Sequence, residues 1–298
     1  MLTHESDFIQ VSKVPIFAGE PDLRPDKSVI FTIAKYDPFL ETWLKNNSYL
    51  FDDCYVLFHQ DEIDKKDRNL CDKYNANIIS LNNETSCCWS WITDTINKFS
   101  AFLLNNYKLV AYSDVDEIIV DPANRLNNID SLPEYVRFFG VDIIQSNDEL
   151  PIDWDKSISQ QRRHLYSSNG ACKIVAKKRS SYIWDSGQHK LLSEPFDIFK
   201  LQIKNLPKLM NNIYLIHLHH IDIATSLERN KRRTDVSSFE KNNELGTQGW
   251  ANDMSALKNS YDLKRKNSHR IINNQCESIL LQDNLLDIID DIILKCYY

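Results

Sequence analysis

Between residues 28 and 117, four short apolar runs alternate with stretches of helical periodicity, and this alternation restricts the fold more than any other feature of the chain. The runs at 29–34, 54–59, 77–81 and 109–113 are too short for helices and mostly too apolar for half-exposed strands. They read as strands buried on both faces. Asp37 and Pro38 offer an N-cap and a first-turn proline for a helix reaching about Asn46. A charged helix is expected over 63–74, and Trp89, Ile92, Ile96, Phe99 and Leu103 recur at steps of three and four, the mark of an amphipathic helix. Strand and helix units of these lengths imply an α/β, Rossmann-like protein with a mostly parallel central sheet flanked by helices. In such sheets ligands gather beyond the carboxyl ends of the strands.

The fourth run ends in acid: Ser113-Asp114-Val115-Asp116-Glu117. Residues two apart on an extended chain share a side, so Asp114 and Asp116 can present hard oxygen donors to one divalent cation and to the phosphates it bridges. Beyond Leu132 the pattern predicts a helix through Phe139 and a strand over 141–145. A loop carrying Asp148, Glu149, Asp153 and Trp154 follows, then strands near 173–176, 199–203 and 213–217. Residues 1–27, with Pro15, Pro21 and Pro25, read as an extended lead-in, 28–227 as the main domain and 228–298 as a helical C-terminal appendage. That appendage comprises a charged arm and an amphipathic helix with Leu281, Leu285, Ile288 and Ile292 in one stripe. Packing onto its own domain is the first expectation for the stripe, with a homodimer contact or peripheral membrane contact as the alternatives.

Composition narrows the function classes. A formal charge of −7 over 298 residues provides no basic face for nucleic acid. Seven cysteines without C-x-x-C spacing form neither a disulfide nor a zinc framework and point to a reducing cytoplasm. There is no signal-peptide pattern, no long apolar span, and no G-x-G-x-x-G or P-loop.

The ordered set KLVAYSDVDEIIV, LPIDW leading to QQRR, WDSGQH, and LIHLHHID resembles the GT-A glycosyltransferases, specifically the family 2-like enzymes of bacterial surface-polysaccharide synthesis, over roughly residues 28–233. The resemblance implies a nucleotide-diphospho-sugar donor, a glycan acceptor hydroxyl, and Mn²⁺ or Mg²⁺ held by Asp116 with Asp114 and a late histidine, His217 or His219. It places Thr32, Lys35, Asp61, Asp114 and Lys173 toward the donor. Glu117, Trp154, Trp184 and His189 fall toward the acceptor, and Asp148 or Glu149 stands as the base of an inverting transfer. The family's aromatic between Gly and His is replaced here by Gln188, and its second-strand pair of aspartates by His59-Gln60-Asp61-Glu62. Two rivals remain: a metal-dependent phosphohydrolase using the same acids, and a non-catalytic sugar-nucleotide-binding module.

Overall fold

The computed structural model describes residues 24–34, 38–58, 63–81, 89–121, 124–156, 158–167, 172–192, 213–229, 231, 254–266 and 268–270. Strands β1 (Arg24–Ala34), β2 (Asp53–Phe58), β3 (Asn77–Ser80) and β4 (Tyr107–Tyr112) alternate with helices α1 (Leu40–Asn47), α2 (Lys65–Lys73) and α3 (Trp89–Leu103). All four strands pair in parallel, in the spatial order β4-β1-β2-β3. The chain therefore winds outward from β1 to β3 and then crosses back to place β4 on the other side of β1. The β1/β4 boundary is a topological switch point, the place where open α/β sheets bind ligands beyond the carboxyl ends of their strands.

Burial on both faces follows from side-chain alternation. Ile30, Val56, Phe58, Leu109 and Ala111 point to the core that holds α1, whereas Val29, Phe31, Leu57, Val110 and Tyr112 point to the core that holds α3. In α1 the buried residues Leu40, Trp43, Leu44 and Asn47 fall at i, i+3, i+4 and i+7, one stripe that ends on an amide. Helix α2 starts where Asp64 accepts a bond from the Asp67 amide.

The second half of the sheet is built differently. Strands β5 (Glu117–Val120), β6 (Tyr135–Ile144), β7 (His164–Ser167), β8 (Lys173–Lys177) and β9 (Tyr214–His217) follow, with a one-turn helix α4 (Ile158–Gln161) before β7. Helix α5 (Met254–Lys266) and the short β10 (His269–Arg270) complete the described elements. Strand β8 pairs antiparallel with β4 and β6, and β5 pairs antiparallel with β9, which runs parallel to β6. The expected α/β, Rossmann-like architecture is present, with its parallel strands in the first half and antiparallel additions in the second.

One predicted helix is a strand. The segment through Phe139 belongs to β6, ten residues that pair with β8 at one end and with β7 and β9 at the other. Its aromatic and β-branched sequence, YVRFFGVDII, suits a pleated surface covered on both sides, and these pairings override any local helical spacing. The predicted strand over 199–203 and the C-terminal amphipathic helix lie outside the described residues. No helix among the described residues is long and apolar enough to cross a membrane.

Asn47 ties α1 to the loop that carries the acids. Its fully buried side chain donates to the Glu117 carbonyl at 2.8 Å and accepts from the Ile119 amide at 2.8 Å, while Trp43 Nε1 donates to Ser113 Oγ at 2.9 Å. Truncating this amide strands a buried carbonyl and a buried N–H. Asn47→Ala is therefore expected to lower the unfolding free energy by about 2–4 kcal/mol in urea titrations. A loss within about 0.5 kcal/mol, the ordinary effect of a surface substitution, would show that the clamp carries no load.

Candidate metal and diphosphate site

The acid loop leaves β4 at the switch point and turns at once, with the Glu117 amide donating to the Asp114 carbonyl at 2.9 Å. Its three carboxylates then part company. Asp114, half-exposed, accepts from Tyr112 Oη at 2.6 Å and pairs with Lys173 Nζ at 2.6 Å. Glu117, 1% exposed, pairs with the same ammonium at 2.6 Å and accepts from the Asp114 amide at 2.9 Å. Burial raises the Glu117 carboxyl. Burial also pushes Asp114 up, but the Lys173 ammonium and the Tyr112 hydroxyl outweigh it and hold that carboxyl below its usual range.

Asp116 faces elsewhere. Strand register sets Glu117 opposite His217 and His217 beside Asp142, so β5, β9 and β6 bring their ends together. The Leu218 amide donates to the Asp116 carbonyl at 2.8 Å and locks the crossing. Asp116 Oδ2 lies 3.5 Å from His217 Nε2 and 3.7 Å from His219 Nδ1. One donor atom from each of the three residues lies within 4.8 Å of the others, a spacing that could hold a metal ion. His220 turns the other way, toward Asp142, with its Nδ1 3.8 Å from Oδ1.

Asp142 orients the His217 ring. His217 Nδ1 donates to Asp142 Oδ1 at 2.9 Å, which assigns the proton to Nδ1 in the neutral ring and leaves the Nε2 lone pair facing Asp116. Asp142 is 1% exposed and also accepts from Lys264 Nζ, on α5, at 2.8 Å. Burial would raise both aspartates, yet His217, His220 and Lys264 hold Asp142 well below the carboxylate range. Arg229, His217 and His219 do the same for Asp116. Burial lowers His217, but its two carboxylates more than reverse this and raise it to about 9, whereas burial takes His219 down to about 3.

The donor set suits a divalent cation. One carboxylate and two imidazoles accommodate Mn²⁺ more readily than Mg²⁺, which dehydrates reluctantly and retains water. Arg229 Nη1 lies 2.5 Å from Asp116 Oδ2 and 3.5 Å from His219 Nδ1, so a protein cation already rests against two of the three donors.

Several residues singled out in the sequence sit elsewhere. Asp114 is not a member of this donor group, because Tyr112 and Lys173 draw its carboxylate away. Lys173, expected toward donor phosphate, is buried and spends its charge on Asp114 and Glu117. Glu117, expected toward the acceptor, is an internal brace of the loop. Trp184 has no exposed surface: it packs beside Tyr112, and Lys177 Nζ lies 3.9 Å over its ring. Thr32 is fully buried on the α1 side of β1. His189 Nδ1 donates to the Cys172 carbonyl at 3.1 Å, and burial lowers the imidazole to about 4. Glu149 accepts from the Ser146 and Arg163 amides, both at 2.8 Å, and so closes its own loop. Asp148 is exposed beside Ser146 Oγ. Trp154 is 41% exposed, its ring 5.3 Å from that of Phe39, over which the Arg229 guanidinium lies at 4.9 Å. Lys35 and Asp61 lie outside the described residues.

Asp142 and Arg229 escaped the sequence reading. A lone aspartate inside the apolar run VDII was a usable signal, since a buried carboxylate needs a partner. Arg229 had none, because it opens a run of basic residues.

No family model and no curated protein matches the chain. Among solved structures it is similar to 4-diphosphocytidyl-2C-methyl-D-erythritol synthase from Anaerococcus prevotii, with 13% identity and a TM-score of 0.31, over 72% of this chain and 96% of that one. It is also similar to S. aureus TarS, with 10% identity and a TM-score of 0.31, over 64% of this chain and 35% of that one, so it spans about a third of that structure. For S. aureus TarS 1-349 the values are 11% identity and 0.29, over 81% and 71%. Likeness at this level carries no functional inference.

The titrations predict a pH optimum for the metal-free fold. His217 is raised from 6.5 to about 9, so the stability it contributes is fully present below about 6.5 and is lost as pH rises through about 9. His219 and His189 are depressed, so the unfolded chain binds their protons first and stability falls as pH drops below about 6.5. Urea titrations in EDTA should show a loss on the order of 3 kcal/mol between pH 7 and 10, reduced in His217→Gln. An unchanged alkaline limb in that variant would remove His217 from the account.

Proposed function

We propose that the chain is a metal-dependent glycosyltransferase that moves a sugar from a nucleotide-diphospho-sugar donor to a glycan acceptor hydroxyl, with inversion. The observation that supports it is the convergence of Asp116, His217 and His219 beyond the carboxyl ends of β1 and β4, with Asp142 orienting His217. A buried carboxylate held ionised between two imidazoles at a switch point suits a cation that carries a diphosphate better than it suits a structural ion pair.

Asp116, His217 and His219 would hold Mn²⁺ or Mg²⁺. Bound there, the cation supplies positive charge to the nucleoside diphosphate as it leaves. The remaining work falls to the chain. Lys173 pairs with Asp114 and Glu117, so of the three acids it is Asp116 that faces the two imidazoles. Trp154 offers an exposed indole face against which a sugar ring of the acceptor stacks. Asp148 takes the proton of the acceptor hydroxyl, because Glu149 is committed to backbone amides.

Thermal-shift measurements with UDP-, GDP-, CMP- and dTDP-sugars, with and without Mn²⁺, test the reading. At least one donor should raise the melting temperature only when metal is present, and Asp116→Ala should abolish that rise. Asp148→Asn should retain it and lose turnover by about 100-fold or more. A full set of donors that leaves the melting temperature unmoved in Mn²⁺ would defeat the proposal.

A further inference from the structure

The three candidate donor atoms share their position with a fourth side chain. Arg229 Nη1 is 2.5 Å from Asp116 Oδ2, the oxygen that faces both histidines, and 3.5 Å from His219 Nδ1. The same guanidinium thus faces a ring nitrogen of His219 as well as the carboxylate. A guanidinium and a divalent cation on one carboxylate oxygen repel each other strongly in a site from which water is largely excluded. The position accepts one of them at a time.

The two cations of the acid loop differ in this respect. Lys173 pairs with Asp114 and Glu117, neither of which belongs to the donor group. Arg229 sits on the donors themselves. It lies seven residues beyond Asp222, in the helical segment that begins at 223 and whose start is fixed: Asp222 Oδ1 accepts from the Thr225 amide at 2.9 Å, and Asp222 Oδ2 pairs with Arg162 at 3.3 Å. The exchange therefore asks only that the long Arg229 side chain swing while the start of the segment stays in place. The Phe39 ring, 4.9 Å from the guanidinium carbon, gives that side chain a surface to slide along toward exposed Trp154.

We propose that Arg229 is an exchangeable counter-ion of Asp116: it fills the cation position in the metal-free protein, is displaced when a divalent metal enters, and then binds a phosphate oxygen of the donor. The phosphate step rests on the transferase reading above, and the exchange step rests only on the site geometry. The exchange makes metal affinity a difference between two cations. A carboxylate held by a charge-assisted bond binds metal more weakly than a bare one, so removing the competitor tightens binding.

The test is Mn²⁺ titration by calorimetry of the full chain as wild type, Arg229→Gln and Arg229→Lys, with circular dichroism to verify folding. Arg229→Gln should bind Mn²⁺ about 10- to 100-fold more tightly than wild type, and Arg229→Lys should stay near wild type. At saturating metal, inorganic pyrophosphate should bind Arg229→Gln about tenfold more weakly than wild type. Equal or weaker Mn²⁺ binding by Arg229→Gln overturns the exchange, and undiminished pyrophosphate binding overturns the phosphate role. If wild type and both variants bind no Mn²⁺, the metal site fails and the transferase reading fails with it. Should Arg229→Gln not fold, the wild type still decides: its Arg229 side-chain N–H resonances should shift and lose protection on saturation with diamagnetic Zn²⁺, and unchanged resonances overturn the exchange.

Discussion

Burying a carboxylate without compensation costs several kcal/mol, and the protein places Asp116 at 3% exposure where the parallel and antiparallel parts of its sheet meet. The arrangement holds because partners converge on it from two elements: the His217 and His219 rings from the end of β9, and the Arg229 guanidinium from the helical segment that follows. Asp142 on β6 then balances His217 from behind, and Lys264 on α5 balances Asp142. Positive and negative groups alternate outward from Asp116 through three elements, so the site and the packing of the C-terminal helix are one electrostatic unit. Tyr261 Oη, donating to the His220 carbonyl at 2.7 Å, fastens the same helix to the same loop.

The fold explains why this chain concentrates chemistry at one edge. Outward winding from β1 and the return to β4 create the switch point, and α1 supplies Trp43 and Asn47 to hold the loop that borders it. Antiparallel strands then bring distant residues to the same edge. A parallel sheet alone could not place Glu117 opposite His217, because that pairing requires β9 to return against β5.

The first half of this architecture was legible in the sequence because each strand is a short apolar run and the intervening stretches carry helix signals, the clearest being the 3.6-residue period of α3. The error at β6 arose where both signals coincide: EYVRFFG carries apolar residues at spacings that fit either element, and long-range pairing decides between them. The site was legible in part. Asp116 stood out as an acid after a buried strand and the histidines as a cluster at a strand end. The separate fates of Asp114 and Glu117 were hidden, since they depend on Lys173, 59 residues from Asp114 along the chain. Trp184 illustrates the same limit, because a tryptophan suited to a sugar and one suited to a core have the same local sequence. Asp142 and Arg229 act through partners 75 and 113 residues away, distances at which spacing carries no information.

The central claim is that Asp116, His217 and His219 form a divalent-cation site oriented by Asp142. Anomalous diffraction from crystals grown with Mn²⁺ tests it most directly. The account predicts a single strong peak within coordination distance of Asp116 Oδ2, His217 Nε2 and His219 Nδ1, with His217 Nδ1 still bonded to Asp142 and Arg229 moved off Asp116. A peak elsewhere, or a fully occupied Mn²⁺ with Arg229 still on Asp116, would contradict it.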